Sequence, residues 1–241
     1  MKNVYYHLSD HAYITQFRDE LILLNTKRDR YTTCFQEYTD ILTSLLETTC
    51  VEADGNLIQN PIVQQLLNDK IIEIKDKPYP FHIDRKINSH GVSNVDWNLP
   101  IKNEPMKIDF DVLRSFIKLC VVNFYMKVRG FYSTIQLIKN SRKTQSNYFI
   151  PKDEDLMGLV NSLNRACLIY PIRTKCLEWS IAFVLLALKR KWKCNLEIGV
   201  QNYPFFAHAW VECNDKIIMD EQFLREELAI ILNEPFRNLK R

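Results

Sequence analysis

Long apolar runs, targeting signals and nucleotide-binding motifs are all missing from this chain of 241 residues. No uninterrupted apolar run approaches the roughly 18 residues of a membrane-spanning helix, and the N-terminus lacks the apolar core of a signal peptide. The sequence contains no P-loop, dinucleotide fingerprint, internal repeat or low-complexity tract. With 46% hydrophobic residues it still has ample material for a core. These features predict a folded, cytoplasmic protein that is not integral to a membrane.

The chain also lacks paired cysteines and the ligand spacing of a zinc site. Its cysteines are odd in number and scattered, without a C-x-x-C motif or a regular spacing to histidine. This pattern predicts reduced thiols and no metal site. The seven are Cys34, Cys50, Cys120, Cys167, Cys176, Cys194 and Cys213.

Basic residues are scarce in the first 76 positions. Up to Asp76 there are 7 Lys and Arg against 12 Asp and Glu, whereas the remainder has 25 against 17. Contacts to phosphates need clustered Lys and Arg, and no basic stripe is present here. The asymmetry predicts two modules with different tasks and no nucleic-acid partner.

Cys176 lies where a buried helix is predicted to begin. It follows Pro171 and Thr174 and precedes apolar residues at helical spacing. In a first turn, unpaired N–H groups and the positive end of the helix dipole favour the thiolate, which is the nucleophilic form. Cys167 is the nearest rival, but its surroundings offer no obvious helix start. Cys176 is therefore the candidate nucleophile.

A histidine and an aspartate follow on predicted strands. After a strand at 196–200 and an Asn-Tyr-Pro break, the segment from His208 to Glu212 alternates with a period of two. Asn214-Asp215 indicates a turn, and a return strand from Lys216 leads to Asp220. His208 is thus expected to open one strand of a hairpin and Asp220 to close the other.

The length of the hairpin loop decides whether His208 and Asp220 share a face. A three-residue loop at 213–215 would place Asp220 directly opposite His208. A two-residue loop would pair His208 with Glu221 and turn Asp220 to the opposite face. A catalytic interpretation therefore requires an odd-length loop or a bulge.

The order of cysteine, histidine and aspartate suits nucleophilic acyl transfer. The imidazole would take the thiol proton, the carboxylate would fix the imidazole tautomer, and water or an amine would release the acyl-enzyme. The same residue types also occur without chemistry, as a buried cysteine, a core histidine and a hairpin aspartate. Residue types and spacing leave both interpretations open.

The sequence around His208 carries the most specific motif of the chain. Ile198-Gly199-Val200 is followed by three residues, Pro204-Phe205, two more residues and His208-Ala209-Trp210-Val211-Glu212. With Cys176-Leu177, Ser180, Ala182, Ile218 and Asp220, this resembles the B proteins of lasso-peptide gene clusters. Those are transglutaminase-like cysteine peptidases that remove the leader from a precursor peptide. The resemblance implies Cys176 as nucleophile, His208 as base and Asp220 as orienting acid. Met219 is a departure, because relatives often have Asn before the aspartate.

The first 76 residues predict a small winged-helix-like module. Strands are expected at 12–17, 21–24 and 30–35, followed by an apolar helical stripe from Tyr38 to Leu46. Asn60-Pro61 then indicates a helix start, and the next apolar stripe comprises Ile62, Val63, Leu66 and Leu67.

This module could be a stabilising appendage, a DNA-binding winged helix or a leader-recognition domain. The acidic balance argues against DNA, and the resemblance implies a fused leader-recognition domain. There the leader would add as a strand to the edge of the third strand and place apolar anchors against the last helix. The expected leader contacts are Arg30, Tyr31, Thr32, Thr33, Cys34, Val63 and Leu67.

The sequence as a whole predicts an α+β protein with a winged-helix-like leader-recognition module at 1–76, a proline-rich linker at 77–105 and a papain- or transglutaminase-like cysteine peptidase domain at 106–241. The resemblance implies a precursor peptide leader and an ATP-dependent macrolactam synthetase as partners. Hydrolysis itself is expected to need no metal or other cofactor, ATP being used by the synthetase. Two alternatives remain, an acyltransferase of the transglutaminase type and a non-catalytic peptide-binding scaffold.

Overall fold

The described residues of the N-terminal part form two small sheets and two helices. The computed structural model describes residues 4–47, 59–93, 97, 99 and 108–237. The N-terminal elements are β1 (Tyr5–Leu8), β2 (Ala12–Phe17), β3 (Glu20–Asn25), β4 (Arg30–Cys34), α1 (Gln36–Glu47), α2 (Pro61–Asn68), β5 (Ile72–Lys75) and β6 (Arg85–Lys86). The three predicted strands and both predicted helices are present. The sequence analysis missed β1, β5 and β6.

The larger N-terminal sheet has the order β4-β3-β2-β6. β2, β3 and β4 form an antiparallel meander, and β6 runs parallel to β2 on the other side. Among the described residues β4 pairs with β3 alone, so its outer edge carries unpaired backbone groups. β1 and β5 form a separate antiparallel pair. Local patterns could not predict this pair, because three strands and both helices lie between β1 and β5 in the sequence.

The cap at the start of α2 is as expected from the sequence. The side-chain oxygen of Asn60 accepts a hydrogen bond from the backbone N–H of Ile62 at 2.8 Å, and Pro61 occupies the first turn. Proline is tolerated there because a first-turn N–H has no partner within the helix. The cap fixes where α2 begins relative to β4.

The C-terminal part combines helices with a four-stranded antiparallel sheet of order β10-β7-β8-β9. A π-helical turn, Tyr125–Arg129, joins the first two helices. The elements are α3 (Phe110–Phe124), α4 (Gly130–Ser141), α5 (Asp153–Ile169), α6 (Cys176–Lys189), β7 (Asn195–Gln201), β8 (Phe206–Cys213), β9 (Lys216–Ile218), α7 (Leu224–Glu227) and β10 (Ala229–Glu234). Asp109 caps α3 by accepting the N–H of Val112 at 2.9 Å. The sequence analysis missed α7 and β10.

Both faces of the N-terminal meander are buried. One face, with Ile14, Leu21 and Leu23, packs against α1 and α2. The opposite face, including Phe17 and Ile22, belongs to the same core as the helices and sheet of the C-terminal part. The two parts therefore share a hydrophobic core. The predicted α+β fold is confirmed, and the boundaries at 76 and 105 stay a prediction; most of 94–107 lies outside the described residues.

In the described part of the chain, no helix combines the length and hydropathy needed to cross a membrane.

Candidate active site

Cys176 is the first residue of α6. The Glu178 carboxylate accepts the backbone N–H of Lys175 at 3.2 Å, which satisfies one of the unpaired donors at this helix start. From Trp179 to Leu188 every residue of the helix is buried, whereas Cys176 itself is half-buried. The apolar length of α6 thus anchors the helix and leaves the thiol at its accessible end.

Two polar contacts fix α6 against its neighbours. The Ser180 hydroxyl donates to the carbonyl oxygen of Ala209 in β8 at 3.4 Å. The indole N–H of Trp179 donates to the side-chain oxygen of Asn164 in α5 at 2.8 Å. These bonds hold the start of α6 at a defined position relative to the strand that carries His208.

His208 lies in β8, directly opposite Gly199 of β7. Its ring is 4% exposed and lies between the rings of Phe206 and Trp210, with centroid distances of 6.0 and 6.1 Å. A Cβ at Gly199 would meet the Trp210 ring and come within 2.8 Å of Leu228 Cβ. The glycine of the motif therefore makes room for the Trp210 ring that packs beside His208.

Asp220 contacts the His208 ring directly. The distance from His208 Nε2 to Asp220 Oδ2 is 2.7 Å, and Asp220 Oδ1 accepts the backbone N–H of Glu221 at 2.9 Å. The Cys176 thiol lies close enough to the His208 ring to help raise the pKa of the imidazole. Because Nε2 is bound to Asp220, Nδ1 is the ring nitrogen left for Cys176. The structure thus brings the three predicted residues together; their catalytic roles stay a prediction.

The hairpin loop between β8 and β9 has fewer residues than are needed to place Asp220 directly opposite His208. β8 and β9 pair Cys213 with Lys216, so the turn contains only Asn214 and Asp215, both with positive φ. Of the two alternatives, the two-residue loop is the one present. The strand pairing ends at Ile218, and Met219 adopts a left-handed conformation with φ of 59°. The left-handed conformation of Met219 interrupts the regular strand as a bulge would, and it turns Asp220 back towards His208.

The His208 imidazole is stabilised in its charged form. Burial disfavours the imidazolium, but the hydrogen bonds to Asp220 and Cys176, with the charges of both groups, outweigh that effect and raise its pKa to about 9. At neutral pH the ring is therefore protonated. A protonated imidazole beside a thiolate can donate a proton to a departing amine.

Cys167, the rival cysteine, is in a different environment. It lies half-buried on α5, and burial raises the pKa of its thiol to about 11. A thiol with such a pKa is protonated at neutral pH and is a poor nucleophile.

Behind His208, the sheet contains a buried carboxylate that the sequence analysis did not single out. Glu197 is fully buried in β7 and accepts the indole N–H of Trp210 at 3.0 Å. Burial raises its pKa to about 7, although Arg225, whose Nε lies 3.3 Å from Glu197 Oε2, lowers it. A charged residue inside an otherwise apolar strand was the signal that could have identified this network. The network fixes the Trp210 ring beside His208.

A groove follows the outer edge of β4. It has a volume of about 320 Å³ and runs between β4 and α2. Its lining includes Arg30, Thr32, Thr33 and Cys34 of β4, Phe35 and Tyr38 beyond it, and Gln65, Leu66 and Asp69 from the α2 side.

Four of the seven predicted leader contacts line this groove. Val63 is fully buried in the core beneath α2, and Leu67 packs against the same core, so neither lines the groove. On a helix these positions lie next to Leu66, and only packing decides which residue faces the groove. Tyr31 also points elsewhere, towards the loop before β8. Leader binding at all seven positions stays a prediction.

The pH dependence of cleavage tests the role of Asp220. Asp220→Asn removes the charge that helps raise the pKa of His208, so the imidazolium should be lost at lower pH. From the raised pKa of His208 we expect the alkaline limb of the kcat/KM profile to lie near pH 9 in the native protein, and about one pH unit or more lower in the variant. Asp215→Asn, which alters an exposed carboxylate in the same hairpin, is the matched control. An alkaline limb that stays in place would show that another acid orients His208.

Two comparisons place the chain among known proteins. Residues 119–233 match the Transglutaminase-like superfamily. The chain is 22% identical over 227 residues to the microcin J25-processing protein McjB of Escherichia coli, covering 90% of this chain and 96% of the relative. No solved structure gives a significant match. These matches support the resemblance to the B proteins of lasso-peptide gene clusters, and the similarity to the Transglutaminase-like superfamily lies at residues 119–233.

Proposed function

We propose that this protein is a cysteine peptidase that binds the leader of a ribosomally made lasso-peptide precursor and hydrolyses the amide bond between leader and core. The observation that carries the proposal is the arrangement of three side chains. Cys176 lies at a helix start within reach of the His208 ring, and Nε2 of that ring is 2.7 Å from Asp220. The relation to a peptide-processing protein supports the same reaction class.

The proposed reaction has two halves. The Cys176 thiolate attacks the carbonyl carbon of the scissile amide, and the His208 imidazolium gives its proton to the departing nitrogen, which leaves as the amine of the core peptide. The leader is then a thioester on Cys176. His208, now neutral, takes one proton from water as the water attacks the thioester, which regenerates the imidazolium and the Cys176 thiolate. The leader leaves as a carboxylic acid, which loses its proton to solvent. Asp220 holds the ring in one orientation throughout.

The groove along β4 supports recognition of an extended peptide. An unstructured leader can pair its backbone with the unpaired outer edge of β4, while its side chains enter the groove between β4 and α2. Backbone pairing gives affinity with little demand on sequence, and the groove adds specificity. Because the core peptide leaves with a free amine, the expected next step is ring closure by an ATP-dependent macrolactam synthetase.

The direct test is incubation of the purified protein with the precursor encoded beside it in the genome, followed by mass spectrometry. Hydrolysis predicts a free leader acid and a free core amine whose masses sum to the precursor plus one water. An adduct between the leader and an added amine would instead identify an acyltransferase. Leader binding without cleavage would identify a peptide-binding scaffold and contradict the proposal.

Proline substitution at the β4 edge tests the leader site. Thr32→Pro or Thr33→Pro removes one backbone N–H, and N–H groups alternate between the sheet partner and the free edge along a strand. The substitution at the outward N–H should weaken leader binding by about 1 kcal/mol or more, measured by titration of a fluorescent leader. The other substitution is the internal control, because it should disturb folding instead, as seen by circular dichroism. Unchanged affinity in two folded variants would mean that the leader does not pair with β4.

A further inference from the structure

Tyr31 connects the leader groove to the candidate active site. Arg30, Thr32, Thr33 and Cys34 all line the groove, and Tyr31 is the one β4 residue that does not. Its side chain is half-buried and packs against the core that Cys176 also contacts. β4 thus presents its edge to the groove and one aromatic ring to the opposite side.

The ring of Tyr31 meets Phe205 in the loop that leads into β8. The two ring centroids are 5.2 Å apart with an interplanar angle of 53°. Phe205 is 49% exposed, although it lies only three positions before the buried His208. The pair therefore forms an aromatic surface, partly open to solvent, between the groove and the His208 ring.

The loop that carries Phe205 is held by the N-terminal sheet. The side-chain amide of Asn202 donates to the Glu20 carboxylate at the start of β3. The hydroxyl of Tyr203 donates to the other oxygen of that carboxylate at 3.4 Å. Glu20 and Tyr31 thus hold the loop at two points, which keeps Phe205 in place beside β4.

Tyr31 is suited to apolar contact. Burial, the Asp29 carboxylate and the nearby Cys176 all raise the pKa of its hydroxyl, so the side chain is neutral.

A peptide bound along β4 must pass this surface to reach Cys176. An extended chain advances about 3.3 Å per residue, so one or two residues would cover the aromatic pair. We propose that Tyr31 and Phe205 are specificity-determining residues, on which the precursor side chains immediately before the scissile bond pack. This inference rests on the proposed peptidase function and adds a second role for the N-terminal sheet, which then recruits the leader and also aligns the bond to be cut. Such a surface favours small or apolar side chains over charged ones.

The test compares Tyr31→Ala and Phe205→Ala with Phe124→Ala, a control at the end of α3 whose aromatic side chain is 53% exposed and lies outside the proposed surface. Three quantities are measured in the full-length protein: kcat/KM for the precursor, the Kd of a leader peptide that ends before the last two leader residues, and the rate of Cys176 alkylation by iodoacetamide. We expect kcat/KM to fall about tenfold or more in both variants and to stay within about twofold in the control. Leader Kd and the alkylation rate should not change.

One further variant and one altered precursor test the same aromatic contact. Tyr31→Phe should retain activity within about twofold, since the ring and not the hydroxyl makes the contact. A precursor with aspartate in place of the last two leader residues should be cut at least about tenfold more slowly by the native protein, with less difference in Phe205→Ala.

Several outcomes would overturn the inference. Unchanged kcat/KM in both alanine variants would show that the peptide does not touch the pair. If binding of the truncated leader weakened as much as kcat/KM fell, or if alkylation became slower, Tyr31 would instead support β4 or Cys176. A lower kcat/KM in Tyr31→Phe would assign the effect to the hydroxyl. If Tyr31→Ala fails to fold, Phe205→Ala decides the matter, because its side chain is half exposed. Absence of cleavage by the native protein would instead contradict the proposed function itself.

Discussion

Cys176→Ala is expected to reduce precursor cleavage below detection while leaving leader affinity within a few-fold. The reaction requires a thiolate that forms and breaks a bond to the scissile carbonyl carbon, and alanine offers no nucleophile. Leader affinity should survive because the groove along β4 is lined by other residues. Cleavage is measured by chromatography of the products, and affinity by titration of a fluorescent leader.

Cys120→Ala is the matched control for this experiment. Cys120 is an exposed free thiol on α3, in the same domain as Cys176 but without a histidine partner among the described residues. Its loss should change neither cleavage nor leader affinity. Turnover by Cys176→Ala comparable to that of the native protein would remove Cys176 as the nucleophile, whereas inactivity of the control would point to a general effect on folding.

His208→Ala is expected to be nearly as severe, with kcat falling roughly a thousandfold or more. The imidazolium that stabilises the thiolate and protonates the leaving amine is lost, and Asp220 keeps a carboxylate without its partner. We also expect slower alkylation of Cys176 by iodoacetamide at neutral pH, because the thiol loses the cation that favours its ionised form. The double variant Cys176→Ala/His208→Ala should be no worse than Cys176→Ala, since residues that act as a unit have non-additive effects.

His82→Ala provides the comparison, because His82 is exposed and distant in sequence from the candidate site. It should retain native kcat and native alkylation kinetics. If His208→Ala retained most of the cleavage activity, the base would have to be another group. If it lost leader binding together with cleavage, His208 would be structural in β8.

Local sequence patterns predicted much of the fold and of the candidate site. The apolar spacing after Cys176 predicted a helix start, and α6 begins at that residue. Alternation around His208 predicted the hairpin strand, and Asn60-Pro61 predicted the start of α2. Such features depend on residues within a few positions of one another, because helix periodicity, strand alternation and capping are local properties.

Strand pairing between distant segments was decided by tertiary structure. β1 and β5 pair across the helices between them, and β10 joins β7 at an edge of the C-terminal sheet. Short strands of this kind carry little signal of their own. Their formation depends on a partner strand and on a core face, both of which are supplied by residues far away in the sequence.

The geometry of the candidate site was likewise determined partly by the sequence and partly by the tertiary structure. The sequence alone determined which residue types are present, their order and the conditions under which His208 and Asp220 could meet. The sequence could not show whether those conditions are met. The two-residue turn by itself places Asp220 on the face opposite to His208, and the left-handed conformation of Met219 compensates for this. A positive φ at a residue with a side chain costs energy and persists only where surrounding contacts enforce it. The approach of Tyr31 to Phe205 likewise required the packing of the N-terminal sheet onto the C-terminal core, which no local pattern encodes.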